Sequence, residues 1–317
     1  MRAAVLAQFG PPEVLEIAEI DPPRPGPGEV LVRVVAAGVN PVDAKIRAAG
    51  SWAGLQLPCV IGYDVSGVVE QLGPGVTDLA VGDHVFYSPE IFGNRWGAYA
   101  EYTVARAAIV ARKPPELSHD LAASMPLAGG TAYEAIVRRL RVLPGETVLI
   151  HGGAGGVGSF AVQLARAAGA RVIATASAEN RDTLARLGAH VCVDYRSEDP
   201  TRAALRETGG VGVDAVFTTV GGETVAHSLP ALRPFGRIAT ILGFSGDLTP
   251  LYQRNQELHG VFLIRERPRL EALGRLAARG QIVPLVDDVL PLERLADAHR
   301  RMDSGHGRGK IVIRVAL

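Results

Sequence analysis

The chain has 317 residues and no formal net charge, with 47% hydrophobic and 21% charged residues, a composition ordinary for a globular protein of about two domains. Neutrality removes the global field that would draw nucleic acid or anionic lipid. The local basic clusters "RRLR" at 138–141, "RERPR" at 265–269 and "RR" at 300–301 read as solvated faces. Two cysteines, Cys59 and Cys192, exclude a disulfide framework and a four-thiolate zinc lobe, and both read as small core residues.

The opening "MRAAVLAQFG" is soon interrupted by "GPPE", and no apolar run approaches the roughly 18 residues of a membrane span. Neither a signal peptide nor a membrane anchor is expected, and the cytoplasm is the default. To about Leu121 the chain consists of short β-rich runs broken by Gly and Pro, "EVLVRVVAAGVN", "GVVEQLG", "GDHVFY" and "GAYAEYTVA", which predict antiparallel strands in a barrel-like module. The proline-laden "DPPRPGPGE" is a connecting loop. At "SHDLAASMPLAGGTAYEAIVRRL" the period becomes helical. From Thr147 apolar strands then alternate with helices: "TVLI", "RVIATA" before "ENRDTLARLGA", "HVCVDY", "VDAVFTTVG" and "GRIATILG". That alternation predicts a parallel α/β sheet. A strand "LHGVFLI", a helix "RPRLEALGRLAARG" and a closing strand "GKIVIRVAL" follow, and their pattern fits either module.

Within "TVLIHGGAGGVGSFAVQLARAAGARVIATA" lies G-x-G-x-x-G at Gly153, Gly155 and Gly158, set between a strand and a helix and followed by a second strand. That context makes it a dinucleotide signature. Gly153 is expected to make the tight turn, Gly155 to admit backbone to a pyrophosphate, and Gly158 to let the helix press on the sheet. Ala154, Gly156 and Val157 complete the phosphate cradle. Val157, Ala161, Leu164, Ala165 and Ala168 form one helix face, and the helix start presents free N–H groups to the diphosphate. NAD-selective sites place an acid about 20 residues beyond the glycines. Here the strand ends "TAS" at Ser177, with Glu179 two residues on and Arg181 after it. A hydroxyl and a guanidinium suit a 2′-phosphate, so NADP(H) is the expected coenzyme.

Taken in order, "AAGVNPVDAKIRAAG", "GYDVSGVVEQLGPGVTDLAVGDHVF", "GGTAYEAI" and "HGGAGGVG" resemble the medium-chain dehydrogenase/reductase superfamily, and within it the zinc-independent quinone oxidoreductases. The resemblance spans essentially the whole length. It implies an α/β protein in which a GroES-like β-barrel domain, residues 1–121 and 257–317, holds an inserted Rossmann domain, 122–256, with a doubly wound parallel sheet and a nicotinamide cleft between the two. Tyr195 in "VDYRSED" matches the family tyrosine beside the adenosine phosphate, although it could also simply cap its strand. Gly309 and Lys310 in "GRGKIVI" match a cofactor-contacting stretch.

By the same register Asn40, Tyr63 and about Leu127 stand where metal-bearing relatives carry zinc ligands, and none is a good ligand; Asp64, at a Glu position, could be one. No metal is expected. None of the eight histidines has ligand spacing, and His84 and His151 read as structural. Alcohol oxidation lacks its Lewis acid in such a cleft, whereas a conjugated acceptor spreads the incoming charge itself. The implied activity is hydride transfer from NADPH to a quinone. Alternatives are an enone or alkenal reductase, and a non-catalytic NADPH-sensing, nucleic-acid-binding protein that zero net charge disfavours. Asn40, Lys45, Tyr63 and Thr131 are the expected contacts at the acceptor. Tyr63 could instead fill the vacant metal pocket, Lys45 stands where some relatives have tyrosine, and Trp52 either lines the mouth or packs a loop. A homodimer is expected through "LHGVFLI" as an edge strand.

Overall fold

The computed structural model describes residues 1–305 and 307–315, and the chain divides into two compact units, Met1–Ala128 with Ile264–Arg279 and Pro284–Leu317, and Gly129–Leu263 with Gly280–Val283. In chain order the first unit contains β1 (Arg2–Leu6), β2 (Leu15–Glu19), β3 (Glu29–Val39), α1 (Pro41–Ala49), β4 (Cys59–Val60), β5 (Val65–Leu72), β6 (His84–Tyr87), β7 (Tyr102–Arg106), β8 (Ala111–Arg112) and α2 (His119–Ala123). Helix α3 (Pro126–Tyr133) carries the chain across to the second unit. There follow β9 (Thr147–His151), α4 (Gly156–Ala167), β10 (Arg171–Ala176), α5 (Arg181–Leu187), β11 (Val191–Asp194), α6 (Pro200–Glu207), β12 (Val213–Thr218), α7 (Thr224–Ser228), β13 (Leu232–Thr240), α8 (Thr249–Gln253) and β14 (Glu257–Gly260). The first unit is completed by α9 (Arg267–Ala278), β15 (Val286–Pro291), α10 (Leu295–Asp303) and β16 (Lys310–Arg314).

In the first unit one sheet runs β15-β16-β3-β5-β6-β8 with β7 also on β3, and a smaller one runs β2-β1-β4. Apart from the parallel β15–β16 pair, the ladders are antiparallel. β3 is the hub. Its alternating Val and Ala side chains pair with β5, β7 and β16, and two register shifts against β5 bend it. This is the GroES-like module.

The second unit is a six-stranded, all-parallel sheet in the order β11-β10-β9-β12-β13-β14. Counted from β9 this is the 3-2-1-4-5-6 order of a doubly wound Rossmann sheet. Its strands are continuous apolar runs because both faces are covered, and Val148, Leu149, Ile150, Val216 and Phe217 are fully buried. The strand order reverses between β9 and β12, which opens the dinucleotide crevice at the carboxyl end of β9.

Three expectations shift. The single helical stretch at 118–140 is broken: Ser118 accepts a hydrogen bond from the Leu121 N–H and caps α2, Pro126 starts α3, and 134–139 widens into a π-helical turn. Proline has no N–H to continue the first helix, which forces the restart. The unit boundaries move accordingly, since α2 packs on β3 and β5 and belongs with the barrel, whereas the expectation placed 122–128 with the nucleotide module. Likewise β14 pairs in parallel with β13, so 257–263 belongs to the nucleotide-binding sheet and not to the barrel. Of "LHGVFLI" the last four residues are not strand, although Val261 and Leu263 are buried while Phe262 and Ile264 are exposed. Among the described residues no helix is long and apolar enough to cross a membrane.

The closest approach in the second unit is that of α4 to the turn before it. A Cβ on Gly158 would lie 2.0 Å from the Gly152 carbonyl oxygen and 2.9 Å from Gly153 Cα, distances no side chain tolerates without moving backbone. Gly158→Ala is therefore expected to destabilise the protein by about 1–3 kcal/mol or more, read as a lowered denaturation midpoint; an unchanged midpoint would show that the turn gives way freely.

Candidate coenzyme and acceptor site

The phosphate cradle is built by the chain reversal from β9 into α4. Gly152 carries the left-handed conformation, φ +71°, that the turn requires, which relocates the tight-turn role expected of Gly153. Gly153 is needed for space: a Cβ there would stand 2.9 Å from Leu184 and 3.0 Å from Ala174. Its N–H donates to the Thr175 carbonyl and the Gly152 N–H to Thr175 Oγ1, so β10 holds the turn. Gly155 is the N-cap of α4, and a Cβ on it would meet protein only at 3.4 Å. The space beside it is open to a ligand. Ala154 is buried beneath the turn, and the first-turn N–H groups of Gly156, Val157 and Gly158 have no acceptor within the helix. Gly158, Ala161, Leu164 and Ala165 are buried, while Val157 and Ala168 are half-buried. His151, closing β9, is held near 4 by burial and stays neutral at pH 7, its Nε2 2.9 Å from Ser228 Oγ. It is a structural residue.

At the adenosine end, β10 and β11 run in parallel with Ala176 opposite Asp194. Ser177 and Tyr195 are the next residues of the two strands and emerge side by side. Ser177 is buried and its oxygen accepts a bond from Asn180 Nδ2, which leaves the hydroxyl proton to donate elsewhere. Arg181 starts α5 with an exposed side chain, and Tyr195 is 49% exposed. Ser177, Arg181 and Tyr195 thus share one corner of this unit, and no acid ends β10. A dinucleotide fits this cradle, with Gly155 to Gly158 against the diphosphate.

The acceptor residues lie differently from expectation. Asn40 caps α1, and its backbone N–H donates to Asp43 Oδ2 at 2.9 Å. Its side chain is fully engaged: Nδ2 donates to Asp64 Oδ2 at 2.9 Å, and Oδ1 accepts from Lys310. Lys310, expected at the coenzyme, is instead 3% exposed and spends its three protons on the Val39 carbonyl at 2.8 Å, Asp64 Oδ2 at 3.0 Å and Asn40 Oδ1. No proton remains for a phosphate. Gly309 precedes it with φ +57° and allows the close passage of the Leu285 carbonyl, 2.2 Å from where a Cβ would be. Asp64 Oδ1 accepts from the Leu127 N–H at 2.6 Å. Burial pushes the Asp64 carboxyl up, and Lys310, Asn40 and Leu127 pull it back.

The positions that answer to zinc ligands in metal-bearing relatives, Asn40 and Leu127, therefore converge on a carboxylate already matched by an ammonium. Tyr63, beside Asp64, is fully buried, its hydroxyl has no hydrogen-bond partner among the described residues, and its phenol is held well above the usual range by burial. Among the described residues no group of three His, Cys, Asp or Glu side chains is placed to hold a metal. Zinc does not fit this donor set. Lys45 projects from α1 to solvent, Thr131 is buried on α3 in the other unit, and Trp52 is half exposed with its ring edge against Phe92. The sequence reading missed Asp43 and Tyr99, whose hydroxyl donates to Asp43 Oδ2; the "NPVD" capping spacing was the available signal.

Asp43 is pushed up to about 7 by burial, against the Tyr99 hydroxyl, the Lys310 charge and the Asn40 N–H. The folded carboxyl keeps its proton to higher pH than the unfolded one at 3.8, so its contribution to stability is complete below about pH 4 and is lost as pH rises through about 7. Asp43→Asn removes this dependence. Its melting temperature relative to the parent is expected to rise between about pH 5.5 and pH 8, by the equivalent of about 2 kcal/mol, and a difference constant with pH would refute the assignment.

Residues 26–115 match the family model of the alcohol dehydrogenase GroES-like domain, and residues 187–313 that of a zinc-binding dehydrogenase. The chain is 32% identical to quinone oxidoreductase of Homo sapiens over 99% of its own length and 97% of that protein. It is 33% identical to the chloroplastic NADPH-dependent alkenal/one oxidoreductase of Arabidopsis thaliana, covering 99% of this chain and 79% of that one. A crystal structure of an alcohol dehydrogenase superfamily protein from Novosphingobium aromaticivorans superposes with a TM-score of 0.92 at 34% identity, both chains covered completely. Among the described residues the glycine turn fits a nicotinamide dinucleotide and no side-chain set is placed to hold zinc, and the chain is an oxidoreductase that belongs to the medium-chain dehydrogenase/reductase superfamily, in its zinc-independent, quinone-oxidoreductase-like branch.

Proposed function

We propose that this chain is an NADPH-dependent reductase that passes hydride to a quinone. The observation that carries the coenzyme choice is the corner formed by Ser177, Arg181 and Tyr195, with no acid at the end of β10. One charge-assisted bond from Arg181 to a 2′-phosphate is worth roughly 1.5–3 kcal/mol, a selection of about ten- to a hundredfold. The name of the Arabidopsis relative points the same way.

The acceptor class follows from the barrel unit. Bound coenzyme supplies a hydride equivalent, and the acceptor takes one further proton to become the hydroquinone. Asn40, Asp64 and Lys310 satisfy one another and are not available to move that proton, so they shape the site and keep its charge fixed. Lys45 is the acceptor contact that this unit offers, the buried Tyr63 fills the space beside Asp64, and the proton comes from water. A quinone fits such a site because its anion is delocalised without a Lewis acid. An activated alkene shares that property, and the alkenal/one oxidoreductase relative makes an enone reductase the second reading.

A nucleic-acid-binding role is disfavoured by the basic clusters themselves. Arg138 and Arg139 pair with Glu134, Arg141 with Glu257, Arg267 with Asp78, Arg269 with Glu266, and Arg300 with Glu13 and Asp297. They are matched locally and form no open cationic face. The exposed edge of β14 supports a homodimer made by strand pairing between two copies.

Steady-state kcat/KM with NADPH and NADH against one ortho-quinone tests the reading. NADPH is expected to win by about tenfold or more, and Arg181→Ala to lose that preference with NADH rates nearly unchanged. A wild-type ratio near one overturns the coenzyme assignment. Acyclic enones turned over faster than ortho-quinones would replace the quinone by the alkene.

A further inference from the structure

We infer that Glu179 and Arg196 form a mobile counter-ion pair that sets coenzyme choice: Arg196 masks Glu179 and transfers to the 2′-phosphate when NADPH binds. The inference rests on the NADPH reading above and adds two residues outside the Ser177, Arg181 and Tyr195 corner.

Glu179 lies in the single turn Ala178–Asn180 that follows Ser177, and Arg196 follows Tyr195. The register that sets Ser177 beside Tyr195 therefore brings these two together as well. Arg196 Nη1 stands 3.7 Å from Glu179 Oε2, and its guanidinium carbon lies 5.8 Å from the centre of the Tyr195 ring. The side chains are 53% and 67% exposed. Water screens such a pair, so little is lost when the arginine turns away, and the tyrosine ring beneath it limits where it can turn.

Glu179 is the first acid that follows β10 in the chain, 21 residues beyond Gly158 (179 minus 158). That is the spacing at which NAD-selective folds place a carboxylate on the ribose hydroxyls. Unmasked, it would accept the hydroxyls of NADH and repel a phosphate dianion. With Arg196 against it the charge of Glu179 is balanced before the coenzyme arrives. A bound phosphate then draws Arg196 across, since a dianion with three acceptor oxygens is a stronger partner than one screened carboxylate.

The pair makes a prediction that a simple phosphate ligand does not. Direct titration of the full-length protein with each reduced coenzyme, followed by nicotinamide fluorescence, gives dissociation constants independent of turnover. Arg196→Ala is expected to weaken NADPH by about tenfold or more and to tighten NADH, because Glu179 is exposed. The double variant Glu179→Gln with Arg196→Ala is expected to regain much of the lost NADPH affinity and to lose the gain for NADH. Both positions are at the surface, and melting curves check that the variants fold. Wild-type preference that survives Arg196→Ala overturns the proposal alone, as does a double variant no better than Arg196→Ala. A wild type that binds both coenzymes equally overturns the coenzyme reading and this proposal with it.

Discussion

A lysine ammonium held against a carboxylate inside the barrel unit, Lys310 on Asp64, is the contact around which that unit is organised. It joins the last strand to the hub strand through the Val39 carbonyl, to the start of α1 through Asn40, and to the start of α3 through the Leu127 N–H on Asp64. Four stretches of chain, at residues 39–40, 64, 127 and 310, are fixed by one pair of charges. Removing either partner of a buried ion pair typically costs about 3–5 kcal/mol, because the other is left uncompensated. The arrangement is therefore satisfied as a whole, and its satisfaction leaves no ligand set for a metal.

That constraint bears directly on chemistry. The cation buried here, the Lys310 ammonium, has all its protons committed. It can hold the local potential steady without offering an open coordination position. In the nucleotide unit Gly158 lets α4 approach the turn, Gly152 reverses the chain, and one side of Gly155 is open.

What could be read from the sequence was what short range encodes. Parallel strands announce themselves as apolar runs between helices, and the glycine spacing of 153, 155 and 158 predicts the cradle because turn, approach and packing all act within one βα unit. The choice between Gly152 and Gly153 for the left-handed position was not legible, since adjacent glycines are equivalent until the register of β10 decides between them. The edge at Glu257–Gly260 was assigned to the wrong unit because a strand's pattern says nothing about which sheet accepts it. Lys310 shows the same limit more sharply. Its partner Asp64 lies 246 residues away, and local pattern carries no trace of a pairing made by the fold. Arg196 in "DYRSED" carries no local mark either, because its partner Glu179 comes from the turn after the neighbouring strand.

The claim that the cluster of Asn40, Asp64 and Lys310 offers no site for a catalytic metal is tested most directly by elemental analysis and quinone turnover on the same sample, before and after exhaustive dialysis against a chelator. The account predicts far less than one transition-metal ion per chain and an unchanged rate. One zinc per chain, with activity lost on its removal and restored on its return, would contradict it.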